Sequence, residues 1–410
     1  MALLVNDCRG LTFSTKALQF EPKEILVSVS QTNVFRGFHQ SPYRKAVYVV
    51  TGKIVDFWYD PVMKETFQNV VSSGGCIQVP AGALHGFFAL EPCTLLYALE
   101  QPYRAEVDNC IHWSSPDLPF DYAQLPVPLT MAIISSKDQG APFLKQSDYL
   151  LIGYTGFLGS YTDRVLRECG LSVYSTNLRL DDTEGIGALI KRTRCRYVIC
   201  AAGISGRPTV AWCESNEKET FRVNLLQVLN LVELTERAGV HLTVFGSALV
   251  YEPPADGYEL DEAAPPTLTR LVYTRLRIAL ESHLRHYSHV LYLRMIYPVL
   301  GDGHAKCFLT KMRGRVAAVD NVQVALTVMP SLFPLLPELI ERRVVGSLNF
   351  VNSGTIGLPE FLHRFGVKCE PAGRALPATP LSTKKLASIL GRPVPAVTEA
   401  LAELASSGAQ

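Results

Sequence analysis

Short runs of alternating hydrophobic and polar residues fill the chain up to about residue 125. Glycine, proline and asparagine interrupt these runs, and there is almost no helical periodicity. Such spacing is typical of a small antiparallel barrel or jelly roll. The alternation predicts strands over 25–29, 46–50, 54–59, 76–79, 85–90 and 94–99.

The pattern changes at Tyr149, where apolar runs of strand length begin to alternate with amphipathic helical segments. Strict alternation of this kind predicts an α/β domain with a parallel, doubly wound sheet, which is the Rossmann architecture. Strands are predicted over 149–153, 172–175, 197–202 and 242–247, and helices over 157–169, 218–238 and 273–286.

Prolines and glycines indicate how the rest of the chain is organised. They make 125–147 an arm or linker that closes the first domain, and beyond about residue 302 they divide what would otherwise look like one helix. The residues concerned are Pro126, Pro128, Gly140, Pro142, Pro330, Pro334 and Pro337. We therefore predict a multidomain chain, with an all-β domain over 1–147 and an α/β domain over 148–410. The second domain would carry a small substrate-binding cap and a last helix at 397–405.

Composition narrows the possible functions. The 410 residues are 48% hydrophobic and 19% charged, with a formal net charge of +1, so disorder and a basic surface for nucleic acid are disfavoured. No stretch approaches the roughly 20 apolar residues of a membrane span, and the first residues lack the features of a secretion signal. Ten cysteines without a C-x-x-C pair indicate a reducing, cytoplasmic compartment and no zinc site. We expect neither nucleic acid nor a membrane as a partner.

A glycine pattern in the second domain indicates a dinucleotide site. Gly153, Gly156 and Gly159 directly follow an apolar strand and open a helix. Glycines here let the backbone approach a pyrophosphate, which the unpaired N–H groups of the helix start can bind. The alternative is a tight turn that only packs the helix on the strand. Phe157 and Leu158 lie between the glycines and are predicted to bind the cofactor with them.

The end of the following strand bears on the choice between NADPH and NADH. An NAD site usually has Asp or Glu there, to bind the ribose hydroxyl. This chain has Ser-Thr-Asn-Leu-Arg over 175–179, with no acid before Asp181. An uncharged tip followed by Arg179 suits the 2′-phosphate of NADPH, although NADH stays possible.

Two further features fit such a cofactor site. Ala201, Ala202 and Gly203 end a strand where a nicotinamide would lie, and Asn224 lies on the long helix that follows. We predict that these four residues contact the cofactor.

Ser247, Tyr273 and Arg277 complete a resemblance to the extended short-chain dehydrogenase/reductase family. The working set of that family is Ser, Tyr and a Lys four residues after the Tyr. Four residues make one helical turn, which places a cation beside the phenol and lets the phenol pass a proton to a carbonyl that receives hydride. Arg277 replaces the lysine; it keeps the charge and can bind the ribose, but it cannot relay a proton. Taken singly, the serine is an ordinary cap and the tyrosine an ordinary packed side chain.

A narrower resemblance covers about 149 to the end of the chain. The run Ala-Ala-Gly-Ile-Ser-Gly-Arg-Pro-Thr-Val-Ala-Trp-Cys-Glu over 201–214 and Phe-Leu-Thr-Lys over 308–311 look like the nucleotide-rhamnose synthase epimerase-reductases. These enzymes act on UDP- or dTDP-4-keto-6-deoxyglucose. The resemblance implies that Cys213 and Lys311 flank the sugar as acid and base for 3,5-epimerisation, and that Arg207 contacts the substrate. Without it, Cys213 is an ordinary buried cysteine and Lys311 a solvated lysine.

An ordered series of motifs gives the first domain a resemblance of its own. The series comprises Phe-Arg-Gly-Phe-His-Gln over 35–40, Val-Pro-Ala-Gly-Ala-Leu-His-Gly-Phe over 79–87, Asn-Cys-Ile-His-Trp-Ser-Ser-Pro-Asp over 109–117 and Ile-Ser-Ser-Lys-Asp over 134–138. Together they resemble the cupin-fold dTDP-4-keto-6-deoxyglucose 3,5-epimerases across nearly the whole domain. Metal-binding cupins need His/Glu clusters on neighbouring strands. We find no such cluster and expect no metal.

The resemblance to these epimerases implies a role for each of three residues. His39 would be the base, Asp138 would orient it and stabilise the imidazolium, and Tyr97 would be the acid on the opposite face of the sugar. Taken singly, His39 is an ordinary structural histidine and Asp138 a helix cap.

Four more residues would complete the pocket. Arg36 and Lys45 would hold the enolate oxygen or the diphosphate, while His85 and Tyr103 would line the walls. The chain lacks an aromatic residue that this family usually has between the histidine and the glutamine. Its N-terminus is also shorter than usual, and in the family that region exchanges strands between partners. A homodimer is expected nevertheless.

Both domains therefore indicate one substrate class, a nucleotide-linked (dTDP or UDP) 4-keto-6-deoxyhexose. The main hypothesis is 3,5-epimerisation in the first domain and NADPH-dependent reduction at C4 in the second, giving a nucleotide-activated L-rhamnose or a C4 epimer such as 6-deoxy-L-talose. Either domain could carry the epimerisation. Two alternatives stay open. One domain could be a binding or assembly module without catalysis, or the second domain could make a different deoxysugar.

Overall fold

The computed structural model describes residues 5–7, 10–12, 18–206, 209–254, 257–313 and 318–407. It divides into two compact units. The first unit comprises Met1–Gln146 with Lys191–Arg194, and the second comprises Ser147–Ile190 with Cys195–Gln410.

The first unit contains two larger sheets whose facing sides share a core, and a separate two-stranded sheet formed by its first two strands. Its strands are β1 (Val5–Asp7), β2 (Gly10–Thr12), β3 (Glu24–Ser30), β4 (Phe35–Gln40), β5 (Lys45–Thr51), β6 (Lys53–Asp60), β7 (Glu65–Ser72), β8 (Cys76–Val79), β9 (Leu84–Ala89), β10 (Cys93–Leu99) and β11 (Asn109–Cys110). One sheet has the order β3-β10-β5-β8 and the other the order β11-β4-β9-β6-β7. Val47, Ile54 and Phe87 are among the side chains from both sheets that form a buried core. The predicted all-β character is confirmed.

Alternation located some strands and missed others, for a physical reason. All six predicted strands are present, and their ends differ from the prediction by at most one residue. β4 was missed because its pairing with β9 is irregular between Arg36 and His39, which breaks the period of two. β7 was missed because it is a largely polar strand at the edge of its sheet, where little apolar surface needs to be buried.

The segment 125–147 covers the outer face of the second of these sheets. It contains a 3₁₀ turn at Leu129–Met131 and the short helix α1 (Ser136–Gln139). Leu125 and Leu129 pack there with Phe38 and Phe57 in one buried cluster. This contact fixes the position of α1, which carries Asp138.

The second unit contains a parallel sheet with helices between its strands. Among the described residues this sheet has the order β13 (Val173–Thr176), β12 (Tyr149–Ile152), β14 (Tyr197–Cys200), β15 (His241–Phe245), β16 (Val290–Arg294) and β20 (Gly346–Asn349). The connecting helices include α2 (Phe157–Glu168), α3 (Thr183–Thr193), α4 (Ala211–Ser215), α5 (Glu217–Phe221), α6 (Gln227–Ala238) and α7 (Val272–Leu284). The parallel, Rossmann-like sheet predicted from the alternation is confirmed.

Three predictions for this unit need correction. The helix predicted over 218–238 is interrupted by a π-helical turn at Arg222–Leu226. α3 was not predicted at all. The region beyond residue 302 is also more than a cap, since β20 pairs with β16 and extends the main sheet.

The last hundred residues add short elements around this sheet. They are β17 (Pro298–Val299), α8 (Phe308–Met312), β18 (Ala318–Val324), β19 (Thr327–Val328), α9 (Met329–Leu332), α10 (Leu336–Glu341), β21 (Ile356–Gly357), α11 (Leu358–Arg364), β22 (Glu370–Leu376), α12 (Lys384–Leu390) and α13 (Val397–Ser406). The prolines do divide one helical region, because a 3₁₀ turn at Phe333–Leu335 separates α9 from α10. Of the helices described, none combines the length and the apolar character that a membrane crossing requires.

Candidate functional site

The glycine loop of the second unit joins β12 to α2. Gly153 has a φ of +82°, and a Cβ at this residue would lie 2.7 Å from the backbone nitrogen of Ala202. A Cβ at Gly159 would overlap the carbonyl oxygen of Gly153. Because the loop approaches both its own helix and the end of β14 so closely, glycine is required at both positions.

The start of α2 offers backbone donors. Gly156 is its N-cap, and the carbonyl of Gly156 accepts the N–H of Ser160 at 2.8 Å. The N–H groups of Phe157, Leu158 and Gly159 come before this bond and therefore have no acceptor within the helix. The side chains of Phe157 and Leu158 pack on the core instead. This arrangement fits the pyrophosphate of a dinucleotide, bound by backbone rather than by side chains.

The segment beyond β13 places two arginines around one carboxylate. Arg179 Nε lies 3.2 Å from Asp181 Oδ1, and Arg222 Nη2 lies 3.9 Å from Asp181 Oδ2. The hydrogen bond from Arg179 lowers the pKa of Asp181. Asp181 is therefore an ionised partner of these cations. Arg222, which the sequence analysis missed, adds a second positive charge beside Arg179.

Four of the predicted reductase residues meet at the carboxyl end of the sheet. Tyr273 and Arg277 lie one turn apart near the start of α7, with the guanidinium carbon 5.2 Å from the centre of the Tyr273 ring. A Cβ at Gly203 would lie 3.2 Å from Arg277 Nη2 and 3.4 Å from Asn224 Oδ1. Asn224 holds the loop after Gly203, because its Oδ1 accepts the N–H of Ile204 at 2.8 Å and its Nδ2 donates to the Ile204 carbonyl at 2.6 Å.

Ser247 lies two residues beyond the end of β15 and is buried. Its Oγ accepts the N–H of Leu249 at 3.1 Å. This is the local capping bond that a serine makes in many turns. The catalytic role of Ser247 stays a prediction.

The residues predicted for epimerisation in the second unit lie in different surroundings. Cys213 is fully buried in α4, and burial raises the pKa of its thiol. α4 contacts α7, the helix that carries Tyr273 and Arg277. Lys311 lies partly buried in α8. Arg207 lies outside the described residues.

In the first unit, His39 lies between two carboxylates. Its Nδ1 is 2.8 Å from Asp108 Oδ2, and its Nε2 is 3.2 Å from Asp138 Oδ1. Burial alone would lower the pKa of His39, but the hydrogen bonds and charges of the two carboxylates outweigh it, and this pKa is raised above its ordinary 6.5. His39 is thus held as an imidazolium over a wider pH range than a free histidine.

The backbone of α1 fixes Asp138. Ser135 is the N-cap of this helix, and its Oγ accepts the Asp138 N–H at 3.1 Å. The Asp138 carboxylate also accepts the N–H of Gly37 and the thiol of Cys110, each at 3.4 Å. Although burial opposes it, these contacts together with His39 lower the pKa of Asp138.

His39, Cys110 and Asp138 form a group that the sequence analysis did not anticipate. Their donor atoms lie within 4.8 Å of one another. The donor set does not suit a metal ion well, because both ring nitrogens of His39 face carboxylates and its raised pKa favours the protonated form. A protonated imidazole offers no lone pair to a cation. The absence of a metal from the reaction stays a prediction.

Two more predicted residues, Lys45 and His85, are buried in the first unit. Burial lowers the pKa of Lys45 to about 8, although the charges of Asp108 and Asp56 oppose this. His85 is directly opposite His39 in the pairing of β4 with β9, and its Nε2 lies 2.9 Å from Asp56 Oδ1. Burial lowers the pKa of His85.

The predicted acid, Tyr97, lies next to this group. The rings of Tyr97 and His85 are 6.5 Å apart and nearly perpendicular. Burial raises the pKa of Tyr97, so its phenol stays protonated at neutral pH. Lys45 and Tyr97 are on adjacent strands of one sheet, with Tyr97 paired to Val47.

Arg36 and Tyr103 lie at the rim. Arg36 donates to Ser30 Oγ at 3.1 Å and to the Val29 carbonyl at 3.3 Å, and its charge acts on Tyr97. Tyr103 is 45% exposed, and its hydroxyl interacts with Asp108. Both positions suit contact with a substrate at the opening of the site.

Asp108 and Asp56 are the site residues that the sequence analysis missed. A charged residue in the middle of the apolar run Ile-Val-Asp-Phe over 54–57 is a signal that could have indicated Asp56. Asp108 directly precedes one of the motifs used above, but no local pattern marks it. Asp108 has two further partners in addition to His39. Its Oδ1 accepts a hydrogen bond from the Ser41 hydroxyl at 3.4 Å, and its Oδ2 lies 3.6 Å from Lys137 Nζ.

A separate cleft of about 940 Å³ opens in the second unit. It is lined by acids and bases that largely pair with one another, including Glu281 with Arg294 and Glu259 with Lys384. None of the predicted site residues that the structure describes lines it.

In a comparison with known protein families, the two units match different family models. Residues 7–146 match the family model for dTDP-4-dehydrorhamnose 3,5-epimerase, and residues 149–317 match that for the NAD dependent epimerase/dehydratase family. The chain thus joins two parts, each similar to one of these families. The unit with His39 is similar to the epimerase family, and the unit with the glycine loop is similar to the NAD-dependent family.

Individual relatives match a little over half of this chain. A bifunctional dTDP-4-dehydrorhamnose 3,5-epimerase/dTDP-4-dehydrorhamnose reductase of Arabidopsis thaliana is 28% identical over 231 residues, which are 55% of this chain and 76% of the relative. A trifunctional UDP-glucose 4,6-dehydratase/UDP-4-keto-6-deoxy-D-glucose 3,5-epimerase/UDP-4-keto-L-rhamnose-reductase of the same plant is 28% identical over 57% of this chain. This chain spans only 36% of that trifunctional protein.

Solved structures share the fold over nearly two thirds of the chain. The UDP-rhamnose synthase of Acanthamoeba polyphaga mimivirus matches with a TM-score of 0.56 at 20% identity, over 64% of this chain and 99% of the synthase. At this identity the likeness establishes the fold alone.

Proposed function

We propose that the protein is a bifunctional enzyme that converts a dTDP- or UDP-linked 4-keto-6-deoxyglucose to an L-rhamnose-type sugar nucleotide. Residues 1–147 would form a cupin jelly roll that inverts C3 and C5, and residues 148–410 would form an extended short-chain reductase that reduces C4. The observation that carries the proposal is the convergence of His39, Asp138, Lys45 and Tyr97 on one interior. These residues come from four separate segments.

The charges of the first unit suit proton transfer beside a ketone. Epimerisation needs a base, an acid on the opposite face and a group that holds the enolate charge. His39 would remove the proton from carbon, Tyr97 would return one from the other face, and Lys45 would stabilise the enolate oxygen. The buried position of Lys45 makes its charge more effective there than in water.

His39 can act only after two changes. It must lose its proton, and one ring nitrogen must become free of its carboxylate. Asp138 is held by the cap of α1, by Gly37 and by Cys110. Asp108 has Lys137 and Ser41 as other partners. We therefore propose that the substrate displaces Asp108 and that Asp138 stays in contact with the imidazole.

The second unit would carry the reduction with NADPH. The bound cofactor would supply hydride to C4. The glycine loop and the start of α2 would bind its pyrophosphate, and Arg179 with Arg222 would favour a 2′-phosphate over a free hydroxyl. Tyr273 would donate a proton to the C4 oxygen, with Ser247 orienting the carbonyl. Arg277 would bind the ribose and supply the positive charge beside the phenol.

Exposure favours the first unit for epimerisation. The side chain of His39 is 26% exposed, whereas Cys213 is fully buried. The imidazole is therefore the more accessible of the two groups. The roles that resemblance suggests for Cys213 and Lys311 would then be unused in this chain.

The test is incubation of the purified protein with each keto sugar in D₂O, with and without NADPH. We expect deuterium at C3 and C5 without NADPH, and oxidation of NADPH when it is added. No deuterium and no oxidation with either sugar would contradict the proposal. NMR of the product would establish its configuration at C4.

A second candidate is that only one unit is catalytic and the other binds sugar nucleotide or NADPH. The observation that favours it is Arg277, which stands where the reductase family has lysine. Calorimetry separates the two candidates, since tight NADPH binding without turnover of either sugar would support this second one.

We also propose that the protein is a homodimer that associates through β3. This strand is at the edge of its sheet, and Ile25, Val27 and Val29 on one face are 55%, 65% and 69% exposed. An apolar face on an edge strand is a suitable surface for a second copy.

A further inference from the structure

Tyr292 lies beside the reductase site, but none of the roles given above uses it. It is in the middle of β16, paired with Val244 of β15, and is almost fully buried. Among the described residues its hydroxyl is close to the backbone amide of Ser247 without a hydrogen bond of normal geometry. A buried hydroxyl without a partner costs free energy, so its retention needs a reason.

Within the described ranges, Arg277 also has a buried polar group without a hydrogen-bond partner. Its Nε–H has no hydrogen-bond partner in the described part of the chain, and its Nη1 is 3.5 Å from the carbonyl of Phe245, which is a long contact. Arg277 is nevertheless 94% buried, with a relative exposure of 6%. The charge of Arg277 acts on Tyr292, and the phenols of Tyr273 and Tyr292 act on Arg277 in turn. A donor and an acceptor, both unsatisfied, therefore share one buried cluster.

Gly246 shows that the sequence makes room for Tyr292. A Cβ at Gly246 would overlap the hydroxyl end of the Tyr292 ring and would lie 2.7 Å from its Cε2. Gly246 has no positive φ that would explain a glycine. The three heavy atoms nearest to that Cβ all belong to the phenol ring, so glycine here accommodates the tyrosine.

We infer that Tyr292 is a positioning residue for Arg277, and that its hydroxyl accepts the guanidinium N–H directly or through one water when the nicotinamide ribose is bound. The inference rests on the proposed reductase function. The ammonium group of lysine is compact and has no preferred plane. The guanidinium of arginine is planar, and a second hydrogen bond is needed to orient it so that one edge faces a ribose. Tyr292 and Gly246 would provide that point and allow an arginine to replace the lysine.

The test compares Tyr292→Phe with Tyr149→Phe in the full-length protein. Both substitutions remove a buried hydroxyl, and that of Tyr149 bonds to Glu341 at the opposite end of the sheet. NADPH affinity is measured by fluorescence titration, and kcat and KM for the keto sugar by NADPH oxidation. The same pair is made in the Arg277→Lys background.

We expect Tyr292→Phe to weaken NADPH binding about tenfold and to lower kcat with little change in the KM for the sugar, while Tyr149→Phe changes neither value. In the Arg277→Lys background the effect of Tyr292→Phe should largely disappear, because the group that it positions is gone. Equal losses from Tyr292→Phe in both backgrounds, or no loss in either, would overturn the inference. If the wild type binds NADPH but reduces neither sugar, the reductase proposal fails. The role of Tyr292 is then still tested by the NADPH affinities of the variants.

Discussion

The Nδ1 atom of His39 lies 2.8 Å from Asp108 Oδ2, while Asp138 occupies the other ring nitrogen. A histidine between two carboxylates is stabilised in its charged form. Such a residue is a stronger base once deprotonated, but it is deprotonated only at higher pH.

This relationship predicts the acid limb of the pH–rate profile for epimerisation, which is the range where the rate rises with pH. The pKa of His39 is raised above 6.5, so the kcat/KM for deuterium exchange should rise with pH through a value above 6.5 in the wild type. Asp108→Asn removes one negative charge and should move that limb down by roughly one pH unit. The measurement is exchange at C5 from pH 5 to 9, followed by mass spectrometry. An unchanged limb in Asp108→Asn would mean that this contact does not control the proton on His39.

The pKa of Lys45 predicts the alkaline limb of the same pH–rate profile, where the rate falls as the pH rises. Its buried amine has a pKa of about 8, so its charge is present below that pH and is lost as the pH rises through it. Exchange should therefore fall above about pH 8. Lys45→Met should slow exchange by roughly 100-fold, the lower end of what a single group holding oxyanion charge contributes, and should abolish the alkaline limb. A Lys45→Met profile that keeps the limb would assign it to another group. Lys64→Met is the control, because that lysine is exposed on the turn between β6 and β7.

Two glycines of the dinucleotide loop allow a test of NADPH binding, with Gly159→Ala as the disruptive variant and Gly156→Ala as its control. A Cβ at Gly159 would overlap the carbonyl of Gly153, whereas one at Gly156 would lie 3.4 Å from the same oxygen. Gly159→Ala must therefore move the loop and should weaken NADPH binding at least tenfold, while Gly156→Ala should change it less than about threefold. Fluorescence titration measures both. Similar affinities for the two variants would show that the loop does not hold the pyrophosphate.

The apolar face of β3 predicts the assembly state. Val27→Lys places a charge in the middle of the exposed stripe and should shift the protein from dimer to monomer. Val62→Lys, on an exposed turn between β6 and β7, is the matched control and should leave the dimer intact. Sedimentation velocity distinguishes the species. A wild-type protein that sediments as a monomer would contradict the proposed dimer.

Local patterns were sufficient for much of the fold. Six strands of the first unit and the strand, glycine loop and helix from Tyr149 to Glu168 were predicted closely, because alternation and glycine spacing are properties of neighbouring residues. β4 and the π-helical turn at Arg222–Leu226 were not predictable in this way. Each departs from the regular period that the pattern assumes.

The site was predicted in part for a related reason. His39, Asp138, Lys45 and Tyr97 were selected through a family resemblance, and the structure brings them into one interior. Asp108 and Asp56 are 69 and 29 residues away in sequence from the histidines they contact. Such contacts depend on how the sheets close, and no local pattern shows that. Arg222 was missed because it approaches Asp181 only through the packing of the π-helical turn.

The central claim is that His39, rather than Cys213, is responsible for inversion at C3 and C5. The most direct test is deuterium incorporation into the keto sugar in D₂O without NADPH, compared among wild type, His39→Ala and Cys213→Ala. We predict that His39→Ala reduces incorporation by roughly 100-fold or more, the range for loss of a general base, and that Cys213→Ala retains most of it. Incorporation that survives His39→Ala and disappears in Cys213→Ala would contradict the account and assign the epimerisation to the second unit.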